Sequence, residues 1–385
     1  MRKYRFHLLS LAHTKCSNKF ATCAYTQKVV GMAKMMSSLG HEVYLYSAEH
    51  GPEDGELPPH TKFIPCVSKK TWDDYLGNYN TYTNFYKFDM NDPVWSEFNI
   101  KTSISVRENL ATDKENFVLC FFGIAHQEAV KNLNSAFVVE PGIGYKYTFA
   151  PFRVFESSAW YHFIHGTQDK DLGTWVDTVI PNYYDLNDFE FSAKKEDYHL
   201  FVGRLIQNKG VAIAVDVARK LGKKIYLAGQ APDNLSNAGV KLDDQVQYLG
   251  VLNVKERSQW MKNATAVWTP TYYIGPFEGV SVEAQLCGTP VITSHFGVFG
   301  ETVLHGKTGY RCRAYKDFLW AAQHIHELNP YDIRQWAAAN YSLDRVKYMY
   351  QAYWDQLADL GKNGWYETQY NPVENLDHFN KYYPH

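Results

Sequence analysis

The chain has 385 residues, 45% of them hydrophobic and 21% charged; it is long for one core, and its balance excludes a mainly disordered chain or a small disulfide-stapled scaffold. Thirty-nine Lys and Arg against 41 Asp and Glu give a formal net charge of −2, which removes the broad attraction that non-specific nucleic-acid binding needs and disfavours a nucleic-acid partner, while a local basic groove stays open. Six scattered cysteines form neither a C-x-x-C pair nor a zinc spacing, so a reducing, cytoplasmic setting with no metal site is expected. Met1 to Leu11 is too short and interrupted for a signal peptide, and no stretch approaches the roughly 20 apolar residues of a membrane span, which leaves at most peripheral membrane association.

Tyr4 to Leu11 reads as a strand, Ala24 to Leu39 as a helix ending at Gly40, and Glu42 to Ser47 as a second strand, a βαβ opening. Ala48 to Asn116 is rich in Asn, Asp, Tyr and Pro and reads as a long excursion with one helix near its end. Phe117 to Phe122 and Ala136 to Val139 then look like buried strands, Phe152 to Ile164 like an aromatic helix, and Trp175 to Ile180 like another strand. A polar connection leads to a second series of strands at Tyr198 to Val202, Lys224 to Ala228, Val246 to Leu249, Ala264 to Trp268 and Pro290 to Thr293, with helices between. Short apolar strands alternating with helices imply a parallel sheet covered on both faces, here twice. Expected are two Rossmann-like domains over 1–185 and 186–342, then a helix around Leu343 to Leu360 and a polar aromatic tail.

Three stretches of the second half carry chemistry. In Gly203-Arg204-Leu205-Ile206-Gln207-Asn208-Lys209-Gly210 a strand ends in a glycine followed by a forked and a point cation, a pair suited to a diphosphate; the plainer alternative is two solvated cations. Ile225 to Gly229 runs a strand into a glycine that permits close approach to backbone. Pro276-Phe277-Glu278-Gly279-Val280-Ser281-Val282-Glu283 opens a short helix whose free N–H groups near Gly279 to Val282 suit an anion. Glu283, about one turn in, suits a neighbouring diol such as a ribose, or simply matches the helix dipole.

Taken together, G-R-x(4)-K-G, the strand-Gly and E-G-x(3)-E-A-x-x-C-G-T-P-V-I resemble the glycosyltransferase family 4 group of GT-B enzymes. The resemblance implies two Rossmann-like domains facing a cleft, a final helix that crosses back to the first domain, and transfer from a nucleotide-diphosphate sugar with retention, without a metal ion or cofactor. It implies diphosphate contacts from Arg204 and Lys209 and a ribose contact from Glu283. The acceptor would be a glycan, a lipid-linked glycan or another hydroxyl-bearing molecule. The family's first glutamate, eight before Glu283, is replaced by Gly275, and Glu278 is the candidate to take over its contact with the donor sugar. Ala12 to Thr22 also lacks the family's glycine-rich turn. Two other readings stay open: a nucleotide-sugar epimerase of the same architecture, and a nucleotide-sugar-binding protein without turnover.

In the first half, Glu140 ends a strand before Pro141-Gly142-Ile143-Gly144, where open α/β sheets bind ligands. It is a candidate catalytic carboxylate, or else a partner of Arg153. His126 is a cleft-edge candidate or a packing residue. Arg153 and Glu156 form a candidate ion pair. Asp169-Lys170-Asp171 spells D-x-D and reads as a solvated loop.

Overall fold

The computed structural model describes residues 1–17, 20, 23–52, 55–77, 89, 91–167, 176–232 and 235–363. Asp169-Lys170-Asp171 and the tail from Gly364 lie outside these.

The first domain contains β1 (Arg5–Leu9), α1 (Ala24–Ser38), β2 (Glu42–Ala48), β3 (Thr61–Val67), α2 (Lys69–Leu76), α3 (Pro93–Glu108), β4 (Asn116–Cys120), β5 (Phe137–Ile143), β6 (Phe152–Phe155), α4 (Ser158–Thr167) and β7 (Thr178–Val179). Its seven strands run parallel in the order β3-β2-β1-β4-β5-β6-β7. Central strands covered on both faces need continuous apolar runs, and β4 is buried at every position. The excursion between Ala48 and Asn116 holds more order than its composition suggests: β3 extends the sheet, Ser68 caps α2, and Asp92 caps α3 just before Pro93. The aromatic run expected as one helix from Phe152 divides into β6 and α4. Pairing with β5 decides this, since a short apolar run carries no distinguishing period.

The second domain contains β8 (Tyr198–Val202), α5 (Val211–Lys220), β9 (Lys224–Ala228), β10 (Val246–Gly250), α6 (Val254–Asn263), β11 (Ala266–Thr269), α7 (Val280–Leu286), β12 (Val291–Ser294), α8 (Phe299–Thr302), β13 (Gly309–Cys312), α9 (Tyr315–His324) and α10 (Pro330–Tyr341). Its sheet has the order β10-β9-β8-β11-β12-β13, again parallel. Both orders reverse direction once, between β1 and β4 and between β8 and β11, and ligands of open α/β sheets bind beyond the carboxyl ends of the strands at such points.

The chain crosses between domains at two adjacent places. Tyr184 donates its N–H to Tyr341 and accepts from Leu343, so the crossings are hydrogen-bonded side by side. The last helix, α11 (Leu343–Asn363), returns to the first domain, where Tyr350, Trp354 and Leu357 form a buried stripe. Trp354 packs against Phe6 and Phe117, and Gln351 meets His41 at 2.6 Å. Among the described residues, no helix is long and apolar enough to cross a membrane.

Candidate functional site

A cavity of about 440 Å³ lies between the domains, lined from one side by α1 and the Glu156–Asn182 region and from the other by Lys209, Arg257 and the 273–283 segment. The second-domain wall is built at the β8/β11 reversal. Lys209 follows β8, and its ammonium donates to both carboxylate oxygens of Glu278 at 2.7 and 2.6 Å while facing the ring of Tyr273. Glu278 follows β11 with φ of +58°, a left-handed conformation uncommon outside glycine. A Cβ on Gly275 would stand 2.2 Å from a Glu278 carboxylate oxygen. A carboxylate oxygen of Glu278 therefore stands where the first side-chain atom of any larger residue at position 275 would lie.

Glu283 lies on the same wall and is gripped by Arg257 from α6, with its two oxygens 3.1 and 3.2 Å from the guanidinium. α6 starts in a capping box of Asn253 and Glu256, which fixes the turn that presents Arg257. Gly279 and Val280 also line the cavity. The expected cradle of N–H groups is smaller than the sequence suggested: Ser281 donates to the Glu278 carbonyl and Val282 to that of Gly279. Gly279 is required by crowding, since a Cβ there would meet the Tyr184 hydroxyl at 2.4 Å. Arg204 is exposed at the end of the β8 loop and is not among the cavity-lining residues.

Gly203 and Gly229 meet each other. Their φ values are +149° and +132°, and a Cβ on Gly229 would lie 2.1 Å from the Gly203 carbonyl oxygen. The close approach expected at Gly229 is thus between two strand ends of the chain itself.

On the opposite wall Lys28 of α1 points into a buried polar knot. Its ammonium pairs with Glu156, donates to the Gly142 carbonyl at 3.0 Å and lies over the Tyr25 ring; the second Glu156 oxygen accepts from Asn182 at 2.8 Å. Burial pushes the Lys28 ammonium down to about 7, opposed by Cys23 nearby. Glu156 therefore partners Lys28 and not Arg153, which makes a two-pronged pair with Asp177 at 2.9 and 2.6 Å. Sequence reading missed Lys28, Arg257 and Glu156 as cavity residues. Lys28 left one signal, a cation set within the stripe of α1 that is otherwise buried against the sheet.

Glu140 and His126 stand elsewhere. Glu140 is fully buried and absent from the cavity wall: one oxygen accepts from the N–H groups of Phe149 and Ala150 at 2.9 and 2.8 Å, the other from the Tyr145 hydroxyl at 3.0 Å. Burial raises its pKa to about 7. It clamps the loop after β5, which corrects both the catalytic expectation and the alternative pairing with Arg153. His126 is also fully buried; Nδ1 accepts from the Phe122 N–H and Nε2 donates to the Ser10 carbonyl at 3.0 Å, with Trp95 edge-on. Burial lowers its pKa to about 4, so a neutral imidazole ties the ends of β1 and β4 together and does not edge the cleft.

Residues 196–328 match the family described as glycosyl transferases group 1. Over 148 residues the chain is 32% identical to the glycogen synthase of Mycobacterium tuberculosis, an alignment covering 35% of this chain and 36% of that protein. The match thus spans about a third of that relative's length. Among solved structures, a glycosyltransferase involved in avilamycin A biosynthesis superposes with a TM-score of 0.65 at 16% identity, covering 92% of this chain and 97% of the other. Anabaena HepE in complex with UDP and glucose gives 0.63 at 15%, covering 92% and 99%. The architecture is GT-B, and the resemblance carried by the second-half motifs is borne out over the segment that bears them.

Proposed function

We propose that this chain is a glycosyltransferase that moves a sugar from a nucleotide-diphosphate sugar to a hydroxyl of a glycan, lipid-linked glycan or comparable acceptor, with retention, without a metal ion, and in the cytoplasm. The observation that carries this reading is the Lys209–Glu278 pair beside Arg257–Glu283 on the cavity wall, within the segment matched to group 1 glycosyl transferases. Charge develops on a departing nucleoside diphosphate, and a desolvated ammonium aimed at that position stabilises it. Lys209 supplies the charge. Glu278 exchanges its ion pair for hydroxyls of the donor sugar, in place of the family's first glutamate. Glu283, held by Arg257, accepts from the ribose hydroxyls. The Lys28–Glu156 knot faces the same cavity and orients the acceptor. HepE holds UDP and glucose within the same architecture, which supports a nucleotide-sugar donor here.

Screening the protein for thermal stabilisation by nucleoside diphosphates and nucleotide sugars, followed by product analysis with and without acceptor, tests the reading. A glycosylated acceptor and activity that survives EDTA are expected. Epimerised donor formed without acceptor would replace this reading with an epimerase, and binding without transfer or hydrolysis with a binding protein. Loss of activity to EDTA, restored by magnesium or manganese, would remove metal independence.

A further inference from the structure

A second concavity, of about 410 Å³, lies outside the cleft at the edge of the second sheet, and its wall includes His295, His305, Arg311, Arg313, Asp317 and Trp320. Thr293 of β12 pairs with Arg311 of β13, and His295 donates its N–H to the Cys312 carbonyl. Arg311 on β13, with Arg313 and His295 just beyond the ends of β13 and β12, line this one concavity. Arg313 donates to the His295 ring at 3.1 Å, and the Arg311 N–H donates to the His305 ring at 3.1 Å.

Two guanidiniums two residues apart on one segment repel each other unless something neutralises them. Among the described residues, neither guanidinium makes a salt bridge. Asp317, the carboxylate on this wall, is turned to the backbone N–H groups of Arg313 and Ala314. The Arg311 Nε is buried and has no hydrogen-bond partner. Burial, Arg313 and Arg311 all push the His295 imidazole below its ordinary value, in keeping with a positive local field. Trp320, 48% exposed, stacks on His324 at 4.3 Å and meets Tyr310 edge-on, which fixes its ring at the rim.

We propose that this concavity is a second ligand site, which takes a phosphoryl group between Arg311 and Arg313, with Trp320 supplying a ring face for a sugar that carries the phosphoryl group. Forked guanidiniums match the oxygens of a tetrahedral anion. The volume fits a small phosphorylated sugar. The inference is independent of the reading of the cleft.

Calorimetric titration of the full chain with inorganic phosphate, glucose 1-phosphate and glucose tests it. Both phosphates should bind and glucose should not; Arg311→Gln and the solvent-facing Arg313→Gln should each weaken glucose 1-phosphate by roughly 10-fold or more. Trp320→Ala should weaken glucose 1-phosphate more than inorganic phosphate. Equal effects on the two would keep the anion site and overturn the sugar contact, marking free phosphate as the ligand. Lys209→Ala, in the cleft, should leave this binding intact. Failure of the wild-type protein to bind either phosphate at millimolar concentration, or binding that survives folded Arg313→Gln and is lost in Lys209→Ala, would overturn the proposal.

Discussion

The two walls of the cleft use strand ends differently. In the second domain the segments after β8 and β11 carry Lys209 and Glu278 outward, and neighbouring helices add Arg257 and Glu283, so charged groups face the cavity in exchangeable pairs. In the first domain the polar groups at the ends of β4 and β5 turn inward: His126 ties β1 to β4, and Glu140 gathers the 145–150 loop. The register of β5 against β6 shifts between Glu140 and Ile143, and the backbone folds back over the carboxylate. A carboxyl-end position in an open sheet therefore brings a residue near the site without aiming its side chain at it. In the first domain the cleft-facing pair joins Lys28 of α1 to Glu156, which follows β6.

Acid should separate the domains most strongly. His7, His41 and His126 are lowered to about 4 and His13 to about 3, all mainly by burial, whereas the second domain has one such histidine, His199, at about 4. A buried histidine with a depressed pKa is neutral in both states above about 6.5; as pH falls the unfolded chain takes up the proton first, so stability is lost between about 6.5 and 4. Each contributes on the order of 3 kcal/mol at the limit. Hydrogen exchange followed through this window should show the first domain opening before the second. Simultaneous opening, or loss of the second domain first, would break the contrast.

A backbone test sharpens the second domain's side. Gly229→Ala places a methyl 2.1 Å from the Gly203 carbonyl and should destabilise by about 4 kcal/mol or more, read as a large fall in Tm. Gly222→Ala, also at positive φ but with open space around it, should cost only about 1 kcal/mol. Equal losses would show that backbone conformation alone, and not the meeting of the two strand ends, requires Gly229.

Lys209→Ala should weaken nucleoside-diphosphate binding and slow transfer by roughly 100- to 1000-fold, about 2.7 to 4 kcal/mol at the transition state. Because it also frees Glu278, Lys209→Ala with Glu278→Gln should be less damaging than the two single effects combined. Strict additivity in that double-mutant cycle would separate the pair functionally.

The smallest effect is expected at Glu140. Glu140→Gln can accept from Phe149 and Ala150 through its oxygen and donate to Tyr145 through its amide, so turnover per folded molecule should stay near wild type and stability at pH below about 4.5, where the carboxyl is protonated in both states, should change by less than about 1 kcal/mol. Glu140→Ala, which orphans two N–H groups, should cost about 1 to 3 kcal/mol of stability. Since burial raises the carboxyl from about 4.5 to about 7, its ionisation opposes folding as pH rises through that interval, and Glu140→Gln should flatten the slope. A 100-fold loss of turnover in Glu140→Gln with normal stability would return this residue to the chemistry.

The sequence by itself determined the twofold α/β plan, the final helix and the second-domain motif segments, because apolar runs, glycines and closely spaced cations are local signals that survive as written; that the final helix returns to the first domain came only from the family resemblance. Tertiary structure decided the partners. Lys209 and Glu278 stand 69 residues apart, Lys28 and Glu156 128, and only the pairing of β8 with β11 and the packing of α1 beside the end of β6 bring each pair into contact. It also decided direction: Glu140 has the sequence surroundings of a ligand-facing carboxylate, yet the loop that folds back to satisfy it turns that charge into the core. Which way a side chain at a strand end points depends on the distant backbone donors that reach it, and no spacing along the chain encodes that.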